Sequence, residues 1–309
     1  MSDFSEIAAN SAPWVAIQRN PSSGSGKGAR QLLRLIRALK KHGLRPRLFS
    51  RRADLEAAVR NPLRRPALRA IVAAGGDGTV IDVVNRFPGH PIAVLPLGTE
   101  NLFARALGLT CDGERLAGII AAGTVSRFDC ARANGRRFLV VASTGFDAEV
   151  IHLAHARRTG RIRRWFYALP ITTALARYPF PPVTVQFDDD PTPHTACLVL
   201  VANLSRYALG LPIAPHASGH DGLLDVCLFQ CPGRWRLFRD LMAVLRGTHL
   251  KERHVVMRQA KRIVIAGEQP VCVQIDGDPA GQIPVTIEIE PSAIEVFTPG
   301  EVQSPVRNN

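Results

Sequence analysis

Long apolar runs are missing. No stretch approaches the roughly 18 residues that a membrane-spanning helix needs. The opening residues, MSDFSEIAANSAPWVAIQ, lack a basic segment followed by an apolar one, so no secretory signal is expected. Cysteine is sparse and unpatterned: six residues in 309, with no C-x-x-C pair. That spacing argues against a disulfide scaffold and predicts reduced, mostly buried thiols in a cytoplasmic protein. Cys227 alternates with apolar neighbours in DVCLF, which favours core packing over metal ligation. His152/His155 and His216/His220 lack the H-E-x-x-H form of a zinc site. There is no G-x-S-x-G, so a serine hydrolase has no support. Lysine is scarce as well, at five of the 39 basic residues.

What is present is a chain with the composition of a globular protein, 46% hydrophobic and 21% charged. Its length suggests two domains. A net charge of +13 points to an anionic partner: nucleotide, nucleic acid or lipid surface. A solvated, arginine-rich surface is the plain alternative.

The first third alternates strand and helix signals. WVAIQ (14–18), RPRLFS (45–50), LRAIVAAG (68–75) and HPIAVLPLG (90–98) read as strands. Between them, Leu32, Leu35, Ile36 and Leu39 share one helical face that ends at Gly43, and Asp54 is a candidate N-cap. This pattern predicts a parallel wound sheet. After about residue 128, strands dominate: 138–144, 182–190, 195–203, 223–229, 262–267, 271–278, 284–290 and 293–297. Turn clusters such as DDDPTPH, GEQP and EPSA separate most of them, which predicts a β-sandwich. Two basic helical stretches interrupt it, near 148–178 and 232–250.

Three loops follow strands of the first domain, at the edge where wound sheets bind ligands. The first, Asn20 to Gly28 (NPSSGSGKG), has residues small enough for backbone N–H groups to reach phosphate. It is neither a Walker loop nor G-x-G-x-x-G. The second is Gly75-Gly76-Asp77-Gly78-Thr79. Three glycines and a carboxylate exceed what a structural turn needs, and a carboxylate beside phosphate calls for a cation between them. Asp77 is therefore expected to serve Mg²⁺-nucleotide binding. The third is Pro96-Leu97-Gly98-Thr99-Glu100-Asn101, where Thr99 and Asn101 suit phosphate contact or capping of the next helix.

Together these loops resemble the diacylglycerol kinase catalytic domain family, which includes bacterial lipid kinases and sphingosine kinases. The matching motifs are NPSSGSGKG (20–28), GGDGTVIDVVN (75–85) and PLGTENLFARALG (96–108). They continue through STGFDAEV (143–150), APHASGHDGLLDV (214–226) and QIDGDPAG (274–281), so the resemblance covers nearly the whole chain. It implies an α/β nucleotide-binding domain over 12–128, with a returning strand near 292–299. A β-sandwich lipid-substrate domain would fill 129–291.

By the same resemblance, Asn20, Ser50, Gly75, Gly76, Asp77, Gly78, Thr79, Thr99 and Asn101 would line an ATP site. Asp77 would help hold Mg²⁺-ATP, and Asp278 would be the catalytic base. Ser218, Asp221 and Leu223 would form a metal site, with Leu223 offering its carbonyl oxygen. Three positions depart from the family pattern: Leu102 stands where an Asp is usual, and Asp82 and Asp278 stand where Glu is usual.

The implied activity is transfer of the γ-phosphoryl group of ATP to a lipid alcohol, diacylglycerol by default, within phospholipid biosynthesis. An NAD kinase-like enzyme and a non-catalytic nucleotide- or lipid-binding relative are the alternatives. Family members often dimerise, so a homodimer is among the expectations. The segment Arg157 to Tyr167 carries five arginines in eight residues and then three aromatics. It fits peripheral attachment to an anionic membrane at its inner face, and it fits equally a solvated helix with a core-facing aromatic cluster. Nucleic acid is not expected as a partner, because no recognised binding module accompanies the charge.

Overall fold

The computed structural model describes residues 12–20, 26–157, 168–188, 190, 192–230 and 233–300. The chain divides into two compact units. The first runs to Phe128 and regains the chain from Ala293, and the second runs from Asp129 to Ser292.

The first unit is an α/β sheet. Its strands are β1 (Trp14–Arg19), β2 (Arg45–Phe49), β3 (Leu68–Gly75) and β4 (Ile92–Pro96), in the spatial order β2-β1-β3-β4, all parallel. Residues 14–18 of β1 and 70–75 of β3 are all buried, as strands covered on both faces must be. β2 is the edge, and it tolerates Pro46 and two arginines there. The helices are α1 (Gly26–Lys41), α2 (Arg52–Arg60), α3 (Asp77–Arg86), α4 (Leu102–Ala106) and α5 (Gly113–Ala122). Leu32, Leu35 and Leu39 of α1 are buried, and Gly43 ends the helix at φ +74. Asp54 does not cap α2, which starts two residues earlier after Arg51.

The second unit is a sandwich. One sheet has the order β12-β11-β10-β7-β14-β15, made of Val255–Ala260, Leu224–Phe229, Leu198–Ala202, Val141–Gly145, Cys272–Ile275 and Asp278–Gln282. The other joins β9 (His194–Ala196), β8 (Val183–Phe187), β13 (Arg262–Ala266) and the first part of β16 (Val285–Phe297), all antiparallel. β5 (Val125–Ala133) and β6 (Arg136–Phe138) form a hairpin. Val185, Ile263, Ile265 and Ile287 of one sheet pack with Val199, Val226, Leu228 and Val273 of the other. Cys227 is fully buried, and burial pushes its thiol up to about 12. Helices α6 (Phe146–Ala156), α7 (Ala168–Arg177) and α8 (Arg234–Leu245) complete the unit. Among the described residues, no helix is long and apolar enough to cross a membrane.

β5 and β12 lie where the sequence reading has no strand, its run 138–144 is divided between β6 and β7, and three further places differ. The run 271–278 is two strands, because Asp276 (φ +48) and Gly277 (φ +82) make a hairpin turn. An Asp-Gly pair is the usual sequence for such a turn. The run 195–203 breaks at Cys197 into β9 and β10. In contrast, EPSA is no turn: β16 passes through it as one strand of 13 residues, bending at Ser292 (φ +52).

Asp129 is the main polar anchor of the second unit and is almost fully buried. Its carboxylate accepts the backbone N–H of Gly222 and of Ser292, each at 2.7 Å. The buried Asn203 donates its side-chain amide to the carbonyls of Asp129 and Leu139. Asp129→Asn puts a donor where two donors converge. It is expected to lower stability by about 2 kcal/mol, read as a fall in the urea midpoint; an unchanged midpoint contradicts the anchor.

Candidate functional site

β1, β3 and β4 are parallel neighbours, so the loops after them open at one carboxyl edge of the sheet. Asn20 ends the described part of the first loop. Its backbone N–H donates to the carbonyl of Ala74 (3.3 Å), and its side-chain amide lies 3.4 Å from the Thr79 hydroxyl. The rest of that loop, residues 21–25, lies outside the described residues.

The second and third loops are packed on each other. A Cβ on Gly98 would sit 2.6 Å from the Cα of Gly76 and 2.7 Å from Oδ1 of Asn101. One on Gly75 would sit 2.1 Å from the Thr79 hydroxyl. Only glycine fits at Gly75 and Gly98. Asn101 holds the third loop closed: Oδ1 accepts the Gly98 N–H and Nδ2 donates to the Gly98 carbonyl, both at 2.9 Å.

Asp77 performs the capping expected of Thr99 or Asn101. Asn101 occupies the position before α4 in the left-handed region (φ +50) and makes no side-chain cap. Instead, Asp77 reaches across from the start of α3. Its two carboxylate oxygens accept the N–H groups of Leu102 and Phe103, each at 3.0 Å. Glycines and an acid at this corner therefore do have a packing reason, contrary to the reading from sequence. Burial is the largest influence on Asp77 and raises its pKa above 3.8, against the lowering effect of the two N–H groups.

Gly78 is different. It is exposed, and a Cβ there would meet nothing within 4 Å. It lies in the first turn of α3, whose N-terminus opens at this edge. Thr79 is buried and braces the loop, whereas Ser50 and Thr99 are exposed at the ends of β2 and β4. Asp82 belongs to another cluster. It accepts from Gln18 (2.9 Å) and Arg86 (2.8 Å) and lies 3.3 Å from Arg52, tying α3 to β1 and α2.

In the second unit, Asp276 and Asp278 do different things. The Asp276 carboxylate accepts three backbone N–H groups, from Leu139, Val140 and Val141, at 2.8–3.1 Å. Asp278 is the accessible acid, with its side chain 37% exposed. Its oxygens lie 3.2 Å from His155 Nε2 and 3.7 Å from Arg136. The turn that carries it is fixed by Gln274, whose Oε1 accepts the Gly277 N–H at 2.9 Å. The Gln274 amide in turn donates to Ser143 (2.8 Å) and Asp147 (3.2 Å). Asp147 also accepts from the hydroxyls of Ser143 and Tyr207. Sequence reasoning gave this network no role. Its members are 60 to 131 residues apart, except Ser143 and Asp147.

Ser218, Asp221 and Leu223 lie in the loop before β11. Ser218 is buried, and its hydroxyl has no hydrogen-bond partner among the described residues. Asp221 is exposed, and its Oδ1 accepts the Leu223 N–H at 3.1 Å. A hydroxyl, a carboxylate and a carbonyl are hard oxygen donors, and an orphaned buried hydroxyl is the kind of atom a hard cation engages, so the set fits Mg²⁺. Among the described residues no three His, Cys, Asp or Glu side chains gather into a metal cluster. The arginine-rich segment falls outside the described residues from Arg158 to Tyr167.

Asp147 gives a pH prediction. Burial is the largest influence on it and raises its pKa above 3.8. The folded state therefore binds its proton more tightly than the unfolded state does. Its contribution to stability is full below 3.8 and is lost as pH rises through the raised value. Urea midpoints of the wild type, measured relative to Asp147→Asn, should rise as pH is lowered from 7 toward 4. A difference that stays flat or falls contradicts this.

Comparison with known proteins identifies the family and the fold. Residues 15–133 match the diacylglycerol kinase catalytic domain, and residues 140–298 match the YegS C-terminal NAD kinase beta sandwich-like domain. A diacylglycerol kinase of Staphylococcus carnosus is 26% identical over 290 residues, covering 92% of this chain and 95% of that protein. One from Mycobacterium tuberculosis is 33% identical over 243 residues, covering 74% and 77%. A solved structure from Bacillus anthracis superposes with a TM-score of 0.74 at 25% identity, over 93% of this chain and 95% of that one. A diacylglycerol kinase structure from the same organism, 20% identical with a TM-score of 0.65, shares the fold. The chain is a kinase and belongs to the diacylglycerol kinase catalytic domain family.

Proposed function

We propose that this kinase transfers the γ-phosphoryl group of ATP to the hydroxyl of a lipid alcohol, with diacylglycerol as the first acceptor to test. The observation that supports it most is the carboxyl edge of β1, β3 and β4. There Gly75, Gly76 and Gly98 are held by contact, Gly78 is left open, and a helix N-terminus faces outward. Phosphate is the chemistry such an edge suits. In this reading Asn20, Ser50, Gly75 to Thr79, Thr99 and Asn101 form the nucleotide site. Asn101 and Asp77 act mainly by fixing its loops.

Asp278 is the proposed base. As the lipid oxygen bonds to the γ-phosphorus and the bond to ADP breaks, the hydroxyl proton passes to the Asp278 carboxylate. The contacts to His155 and Arg136 orient that carboxylate. The Gln274–Asp147 network keeps its turn in place. Asp77 is proposed to face Mg²⁺-ATP with the lone pairs its N–H partners leave unused, and a nearby cation would offset the burial that raises its pKa. Ser218, Asp221 and the Leu223 carbonyl would hold a second cation. When bound, Mg²⁺ would supply neutralisation of phosphate charge.

The test is a reaction of purified protein with γ-labelled ATP, Mg²⁺ and a panel of lipid alcohols, beside a parallel NAD reaction. Label is expected on a lipid. Asp278→Asn should lower turnover by about 10²-fold or more, with an unchanged thermal midpoint. Label on NAD, or no label on any lipid despite ATP binding, overturns the proposal. Wild-type turnover by Asp278→Asn overturns the role of that residue.

A further inference from the structure

Helix α8 carries an apolar face that the fold leaves bare. Trp235 is 81% exposed, and Phe238, Leu241 and Leu245 are 43–54% exposed. At about 100° per residue these four fall within roughly 120° of the helix circumference. The opposite side is anchored. Asp240, Ala243 and Val244 are buried, and Asp240 Oδ1 lies 2.7 Å from Nε2 of the buried His254, just before β12. The helix is thus held to the second unit by one face and presents large apolar side chains to solvent on the other. Core packing does not account for that stripe.

Charge identifies what covers it. Arg234, Arg239 and Arg246 are exposed along the stripe, and Lys251 and Arg253 are exposed just beyond it. Arg234, Trp235, Arg236 and Arg239 line an open depression at the start of the helix. We propose that this face of α8 docks on an anionic lipid surface, with Trp235 and Phe238 entering the interface and the arginines meeting lipid phosphates. A second copy of the chain is the weaker occupant. Two-fold pairing of this face would set the same arginines against each other. The inference deepens the lipid-kinase reading and rests on it for its purpose, but binding is read without ATP.

Flotation of the full chain with phosphatidylcholine vesicles, with and without phosphatidylglycerol, tests it. The wild type should float with the anionic vesicles and be released by salt. Trp235→Ser/Phe238→Ser and Arg239→Gln/Arg246→Gln should each weaken partitioning by about tenfold, with unchanged circular dichroism because all four residues are exposed. Wild-type flotation by both variants, or no flotation by the wild type, overturns the proposal. So does a wild-type dimer that the apolar variant converts to monomer without loss of flotation. Flotation retained in a protein that labels no lipid would overturn the lipid-acceptor reading alone.

Discussion

The first unit depends on one carboxylate bonded to two backbone amides. α4 is only five residues long, too short to hold its own first turn in water. Asp77, from the start of α3, supplies both acceptors at that turn. This ties the loop after β3 to the loop after β4, and the contact of Gly76 with Gly98 becomes possible only because neither carries a side chain. The edge of the sheet is therefore a rigid arrangement of backbone, and rigid backbone is what presents N–H groups to phosphate without reorganisation. The second unit repeats the device. Asp129 fastens Gly222 and Ser292, and Asp276 fastens Leu139, Val140 and Val141. In each case an acid holds distant backbone, which leaves Asp278 as the accessible acid of its turn.

Local pattern made much of the architecture readable from sequence. β1, β3 and β4 are built on short apolar runs, and β3 and β4 lead into glycine, a signature of buried parallel strands entering a tight loop. The sandwich strands showed alternation between turn clusters. Errors arose where tertiary contact overrides local chemistry. Pro291 and Ser292 look like a turn, yet β16 continues through them because its two halves pair with different strands, β13 and β4. Asp276-Gly277 is a strong turn signal that sat inside an apolar run and was read as strand. The capping contacts of Asp77 leave no local trace, because its partners, Leu102 and Phe103, lie 25 and 26 residues away. The Ser143–Asp147–Tyr207–Gln274 network was illegible for the same reason.

The excess of arginine now has local content. Some arginines are structural: Arg86 joins Gln18 and Asp82, and Arg132 and Arg137 meet Glu290. Others, on and beside α8, are exposed next to apolar side chains, an arrangement unsuited to a nucleic acid groove and suited to lipid.

The most direct test of the account is hydrogen exchange of the wild-type chain with and without ATP and Mg²⁺. The account predicts slower exchange on nucleotide addition at the amides of residues 75–80 and 97–103, the two loops that Asp77 joins. Protection confined to other segments, with those two loops unchanged, would contradict it.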